Sequence, residues 1–326
     1  MHESGDVLTI EVIEAIKAIK RNPYLLRSRF TEFQNNKAVM LAVVQENGYA
    51  LEYASPELQN DPDVVLAAVQ NRGGALKFAS AELQGVRTIV LAAVQNYGLA
   101  LKDASPELQN NLTIVLEAVQ QEPLALQYAS DELQNNADVV RAAIAKNIHA
   151  LAFASDALKG DKSFVREAFL LDREALEYAS DEILGDSTFM LEMIKMVECG
   201  DDEDVLKHAL PALLNDTTFM LALVVGQERG RHALQCASAE LLANKFFMRE
   251  VVQYDGDLLE YASPELQNDR DIVRVAFNQN PRAFKHASEA LKKEFRGVSK
   301  VSFFQGVDEE EKKQPDPPNL SEKGPR

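Results

Sequence analysis

The sequence predicts an all-α fold, a right-handed-type α-solenoid of about ten two-helix repeats of 25 residues. Three observations predict it. The stretch ALEYASPELQNDPDVVLAAVQN, residues 50–71, is nearly repeated from Ala75 and again from Ala100. With Ser55 as a marker, equivalent positions fall at Phe30, Ser80, Ser105, Ser130, Ser155, Ser180, Leu210, Ser238, Ser263 and Ser288, spaced by 25 except for intervals of 30 and 28. Each copy also carries an apolar stripe at helical spacing that it can hide only against its neighbours, the condition that produces a stacked array.

The chain opens with residues 1–29, read as N-terminal capping helices: NPYLLRSRF aligns with NGYALEYAS, and the segment before it carries polar Lys17 and Lys20. The array follows over residues 30–297, with irregular units at 196–236. Residues 298–326, an acidic and proline-containing tail, hold too little apolar surface to order themselves.

Within a repeat the chemistry parses the elements. Five residues past the marker stand Asn35, Asn60, Gly85, Asn110, Asn135, Gly160, Gly185, Asn215 and Asn268, types that tolerate a left-handed backbone and so are expected to close a helix. The next residue, usually Asn or Asp as at Asn36, Asp61 and Asn111, can accept hydrogen bonds from the unpaired amides of a new helix. From Asp61 that helix puts Val64, Val65, Ala68 and Val69 within an arc of about 140°. A loop with Gly48, Gly73, Gly98, Pro123 or Pro281 then leads to a second short helix, ALEYA, with a leucine column from Leu51 to Leu259. Pro56, Pro106 and Pro264 follow the marker directly, so Ser-Pro-Glu-Leu reads as a fresh cap. Helices this short are marginal alone and must draw their stability from stacking.

Composition bounds the partners. A formal net charge of −17 disfavours nucleic acid and anionic membranes, whose phosphates need clustered Lys and Arg. No apolar run approaches the roughly 20 residues of a membrane helix, and the N-terminus lacks the pattern of a secretory leader. Only Cys199 and Cys236 occur, which excludes a disulfide framework and points to a reduced, cytoplasmic compartment.

The unit ALxxASxELQxDxxVVLAAV resembles the short helical repeats of domain-of-unknown-function family 4116, over about residues 22–293. The resemblance implies an all-helical repeat module of the kind found in protist, algal and intracellular-bacterial proteins, some of the latter secreted effectors. Delivery to a host cytosol without a cleavable signal peptide would suit such a protein. No activity or catalytic residue is carried over, because the family assigns none.

No phosphate-cradling loop, nucleophile elbow or zinc-binding signature occurs in the sequence. The chain is read as a non-enzyme with no cofactor. His208, Cys236 and His286 share a column otherwise given as Tyr53, Phe78, Tyr128, Phe153, Tyr178 and Tyr261, but a metal site needs further ligands. Two other features break the monotony. The long intervals place an acidic insertion around Asp201 and Asp202 and a basic one around Arg229 and Arg231, both expected at one edge of the array. A column just off the core face runs Leu41, Leu66, Leu91 and Leu116, then turns to Arg141 and Arg166. These eight acidic, basic and leucine positions are the candidate partner-binding residues for a protein or peptide. The function read from the sequence is a non-catalytic binding scaffold; the alternative is an enzyme or enzyme regulator with its site in residues 196–236. With helices about 8–10 Å apart, ten layers predict a particle about 80–100 Å long. Small-angle scattering that returned a compact sphere would reject the stacked arrangement.

Overall fold

The computed structural model describes residues 10–197, 201–226 and 230–294. Among the described residues every regular element is helical, and no helix is long and apolar enough to cross a membrane. The chain divides into two compact units, residues 1–183 and 184–326.

In the first unit the opening helices Ile10–Arg21 and Leu25–Ser28 bury Ile19 and Leu26 completely. The repeat that follows is exemplified by Pro62–Asn71. Asp61 stands before it in extended backbone, and its Oδ1 accepts from the amides of Asp63 at 3.0 Å and Val64 at 3.2 Å. Proline fits the first helical position because no partner is lost there. Val64, Val65, Ala68 and Val69 are fully buried, and the same face recurs in Arg87–Asn96, Leu112–Gln121, Ala137–Ile144 and Lys162–Leu171. Val86, with no acceptor to offer, starts its helix without a side-chain cap.

The second element is not the short α-helix the sequence suggests. It is a six-residue 3₁₀ helix, as in Gly48–Tyr53, Gly73–Phe78, Gly98–Asp103 and Pro123–Tyr128. Where the element opens on glycine, its start lies close against the next copy. A β-carbon added to Gly73 would run into the Ala93 carbonyl of the next long helix, and a 3₁₀ coil is narrower and longer per residue than an α-helix. The leucine column lies inside: Leu51, Leu76, Leu101, Leu126, Leu151 and Leu176 are fully buried. After it the backbone turns extended at Ala54, and Ser55 caps a single turn, Pro56–Gln59, by accepting from the Leu58 amide. A regular repeat therefore has three pieces, two α and one 3₁₀.

The residue five past the marker also departs from expectation. Asn60, Asn135 and Gly160 have φ of −107°, −94° and −96°, well outside the left-handed region. The column favours asparagine for a different reason. Its Oδ1 accepts from the marker hydroxyl of the next repeat, at 2.8 Å for Ser55–Asn35 and 2.6 Å for Ser155–Asn135, and likewise between Ser80 and Asn60. Asparagine can also donate onward, from Asn60 to Glu82 at 3.2 Å and from Asn110 to Glu132 at 3.0 Å.

One backbone contact joins the repeats throughout. The marker amide donates to a carbonyl of the preceding copy: Ser55 to Gln34 at 2.8 Å, Ser80 to Gln59 at 2.9 Å and Ser130 to Gln109 at 3.0 Å. The accepting glutamine also reaches back along its own repeat, Gln59 Nε2 donating to the Leu51 carbonyl at 3.1 Å. A third connection runs through the long helices, where Asn71 accepts from the Gly48 amide at 2.9 Å and donates to the Gln45 carbonyl at 3.0 Å.

The second unit keeps the core pattern, with Phe189, Phe219 and Phe247 buried in Ser187–Met196, Thr217–Gly226 and Lys245–Tyr254. The irregular units differ in their second element, which is α-helical at Asp202–Leu206 and Gly230–Cys236. The 3₁₀ form returns at Gly256–Tyr261 and Pro281–His286. Residues 198–200 and 227–229, within the two insertions, and the tail 298–326 lie outside the described residues.

Ser105 tests the asparagine column. Its partner position is Gly85, and the buried Ser105 Oγ has no hydrogen-bond partner among the described residues. A β-carbon on Gly85 would sit 3.7 Å from that oxygen with nothing closer. Gly85→Asn should restore the pairing and raise stability by about 0.5–1.5 kcal/mol. A thermal melt with an unchanged or lowered midpoint would refute this role for the column.

Candidate functional site

The 3₁₀ helices bring two residues of adjoining repeats together along one edge of the first unit. The residue at the repeat position of Tyr49 meets the residue that ends the next 3₁₀ helix, twenty-nine positions on. Tyr24 and Tyr53 meet edge to face with ring centroids 6.3 Å apart, and Tyr49 and Phe78 at 6.4 Å. His149 and Tyr178 repeat the arrangement at 6.2 Å, with the tyrosine hydroxyl 2.7 Å from Nδ1 of the histidine. In the second unit the same register pairs Asp257 Oδ1 with His286 Nε2 at 3.7 Å. Burial pushes the His286 imidazole below its ordinary pKa, although Glu260 and Asp257 pull the other way. Edge-to-face rings add modest stability beyond the area they cover.

Two cavities open on this edge, on either side of Tyr49. One, of about 330 Å³, is lined by Tyr49, Arg72, Gly73, Gly74, Asn96 and Tyr97. The other, of about 180 Å³, is lined by Asn22, Pro23, Tyr24, Tyr49, Glu52 and Tyr53, with Asn47 beside them. Tyr24, Tyr49 and Tyr97 are 53%, 45% and 37% exposed. The walls are held rigidly. The Asn96 side chain is fixed between the Gly73 amide at 2.7 Å and the Gln70 carbonyl at 3.1 Å. Gly74 leaves room for the Tyr49 ring, since a β-carbon there would lie 2.9 Å from the tyrosine hydroxyl. Lys77 places its ammonium 5.6 Å from the Tyr49 ring and 4.6 Å from that of Phe78, a cation–π geometry.

Gly74 has a second effect. The register that joins Tyr49 to Phe78 puts Asp103 opposite Gly74, where no ring is present to meet it. Asp103 is partly buried, and its Oδ2 has no hydrogen-bond partner among the described residues. It is the one acid in a column of aromatic, histidine and cysteine residues. The sequence reading passed over it because the surrounding motif, ALKDASPELQ, is otherwise regular; the break in the column was the available signal. The tyrosines and Gly74 were missed for another reason, since exposure on a 3₁₀ edge depends on a register that helical periodicity does not reveal.

The residues singled out from sequence are split between the two units. Leu41, Leu66, Leu91 and Leu116 are partly buried and packed against the core of the first. Their column continues in Arg141, which pairs with Glu167 of the next repeat at 2.9 Å and with Asp138 at 3.0 Å. In the second unit Asp201 precedes the helix Asp202–Leu206, and Arg231 pairs with Glu260 at 2.6 Å. Arg229 and the side chain of Asp202 lie outside the described residues. No group of three or more His, Cys, Asp or Glu suited to a metal ion occurs among the described residues.

Burial pushes the Asp103 carboxyl above the usual carboxylate range, with Lys102 and Lys77 opposing it only in part. A carboxyl with a raised folded pKa holds its proton more tightly in the fold than in the unfolded chain. Its cost is therefore small at low pH, appears as pH rises through the ordinary carboxylate range, and is complete above the folded pKa. Asp103→Tyr should stabilise the protein by about 1–3 kcal/mol at neutral pH, with the gain shrinking as pH falls from the raised folded pKa through the ordinary carboxylate range. Melting curves across pH check this, and a gain independent of pH would contradict it.

The comparisons with known proteins agree with the architecture. The profile of the family described as Domain of unknown function (DUF4116) matches residues 36–84, 87–134, 112–159, 136–184 and 244–292. No curated protein and no solved structure matches the chain. The matched stretches cover more than half of the sequence and coincide with the repeats described above, and the chain belongs to the DUF4116 family.

Proposed function

We propose that this protein is a non-catalytic scaffold that binds a protein or peptide along the 3₁₀ edge of its first repeats. One observation carries the reading: exposed Tyr24 and Tyr49 stand one repeat apart and, together with exposed Tyr97, line two adjoining cavities. Tyrosine gives a large contact area, loses little side-chain freedom, and keeps a hydroxyl for water or a partner. Repeat arrays lend themselves to this use because each copy adds another pocket at a regular interval. A cytosolic setting, a host cytosol included, fits the two-cysteine composition.

The leucine column is a second candidate surface, but Leu66 and Leu91 also pack against the core, so changing them tests folding as much as binding. The exposed tyrosines separate the two. The full chain, exposed to an array of synthetic peptides of varied composition, should retain a defined set. The double variant Tyr49→Ala, Tyr97→Ala should lose most of that set while melting as a folded protein. A retained set that this change does not alter would remove the 3₁₀ edge as the binding surface.

A further inference from the structure

We infer that the tyrosine-lined groove between residues 22 and 97 receives a proline-rich segment in the extended polyproline conformation, with an acidic residue of that segment set against Arg72. The inference rests on the scaffold reading above and names its partner class.

Periodicity supplies the first argument. A polyproline helix has 3 residues per turn and rises about 3.1 Å per residue, so it presents the same face roughly every 9 Å. Stacked helical layers are separated by about 8–10 Å. A ligand with proline at every third position thus advances by about one repeat per turn. Its prolines would enter the cavities on the two sides of Tyr49 in succession.

The lining supplies the second. Proline-rich segments dock in grooves walled by aromatic rings, which pack on the flat pyrrolidine face. Here Tyr24, Tyr53, Tyr49 and Tyr97 provide those rings, and Asn96 is already held in place by the Gly73 amide and the Gln70 carbonyl. A proline-rich ligand, already held extended by the fixed φ of its prolines, loses little conformational freedom on binding, which suits shallow, open cavities.

Charge supplies the third. Arg72 lines the larger cavity and is exposed, and the Lys77 ammonium lies beside the Tyr49 ring. Glu52 lines the smaller cavity. The groove is therefore cationic towards the Arg72 end, where an acidic residue of the ligand is favoured and a basic one opposed.

Two synthetic peptides of identical composition test the idea, titrated into the full chain by calorimetry. In one, proline recurs at every third position and a glutamate flanks the run; in the other, the order is scrambled to break the period. The periodic peptide should bind at least about tenfold more tightly than the scrambled one, a gap of about 1.4 kcal/mol. Gly74→Val, whose side chain would displace the Tyr49 ring, and Tyr49→Ala should each weaken it by about tenfold or more. Arg72→Glu, at an exposed position that leaves the fold intact, should reverse the preference between the glutamate-flanked peptide and a lysine-flanked one. Equal binding of the periodic and scrambled peptides, or binding unaffected by Gly74→Val and Arg72→Glu, would overturn the inference. If peptides of other chemistry still bind in a Tyr49-dependent way, only the partner class is wrong; if no peptide depends on Tyr49, the scaffold reading falls as well.

Discussion

Everything in this architecture depends on one main-chain hydrogen bond per repeat, given by the marker amide to a carbonyl of the copy before it. In the regular repeats the donor and acceptor stand twenty-one residues apart, as in Ser55 to Gln34 and Ser288 to Gln267. The bond forms where the backbone is extended, between the 3₁₀ helix and the one-turn helix, and so belongs to no helix of its own. Its net contribution is modest, but it sets the register from which other contacts follow. The Asn–Ser pairs, the buried leucine column and the edge-to-face rings all recur at offsets that this register defines. Where the sequence is less regular the bond persists, from Leu210 to Leu184 at 3.3 Å and from Ser238 to Leu214 at 3.4 Å. There the glutamine side chain that reaches back along its repeat is replaced by leucine.

Much of the fold was legible because it rests on side-chain types with narrow physical roles. Asn and Asp before a long apolar helix do cap it, Pro56 does open a new turn, and the arc of Val64, Val65, Ala68 and Val69 is the core. The misreadings share a cause. The 3₁₀ form of ALEYA and the ordinary φ at Asn60 both reflect contacts with the neighbouring copy, and a single repeat examined for periodicity cannot display them. Asparagine was credited with backbone tolerance when its amide serves as a connector.

The candidate site was less legible for the same reason. Leu66 attracted notice as an apolar residue off the core face, yet its side chain is spent partly on packing. Tyr49 drew none, because a tyrosine near a turn is unremarkable until its neighbour in space proves to be glycine. The contrast between Arg141, which is paired across repeats with Glu167 at 2.9 Å, and the leucines that precede it shows how one column can change character without disturbing the register. Exposed ion pairs of this kind contribute little to stability, so such positions can vary at small cost.

The marker bond has a consequence for how such chains grow. Each copy offers one amide to the copy before it and one carbonyl to the copy after it, so a whole copy can be gained or lost with every interior donor still matched. A change of length inside a copy is absorbed only in the loop between its long helix and its second element, as in the intervals of 30 and 28 residues, where the marker bond persists at 3.3 and 3.4 Å. Length can therefore be altered by genetic duplication of whole copies without inventing a new interior.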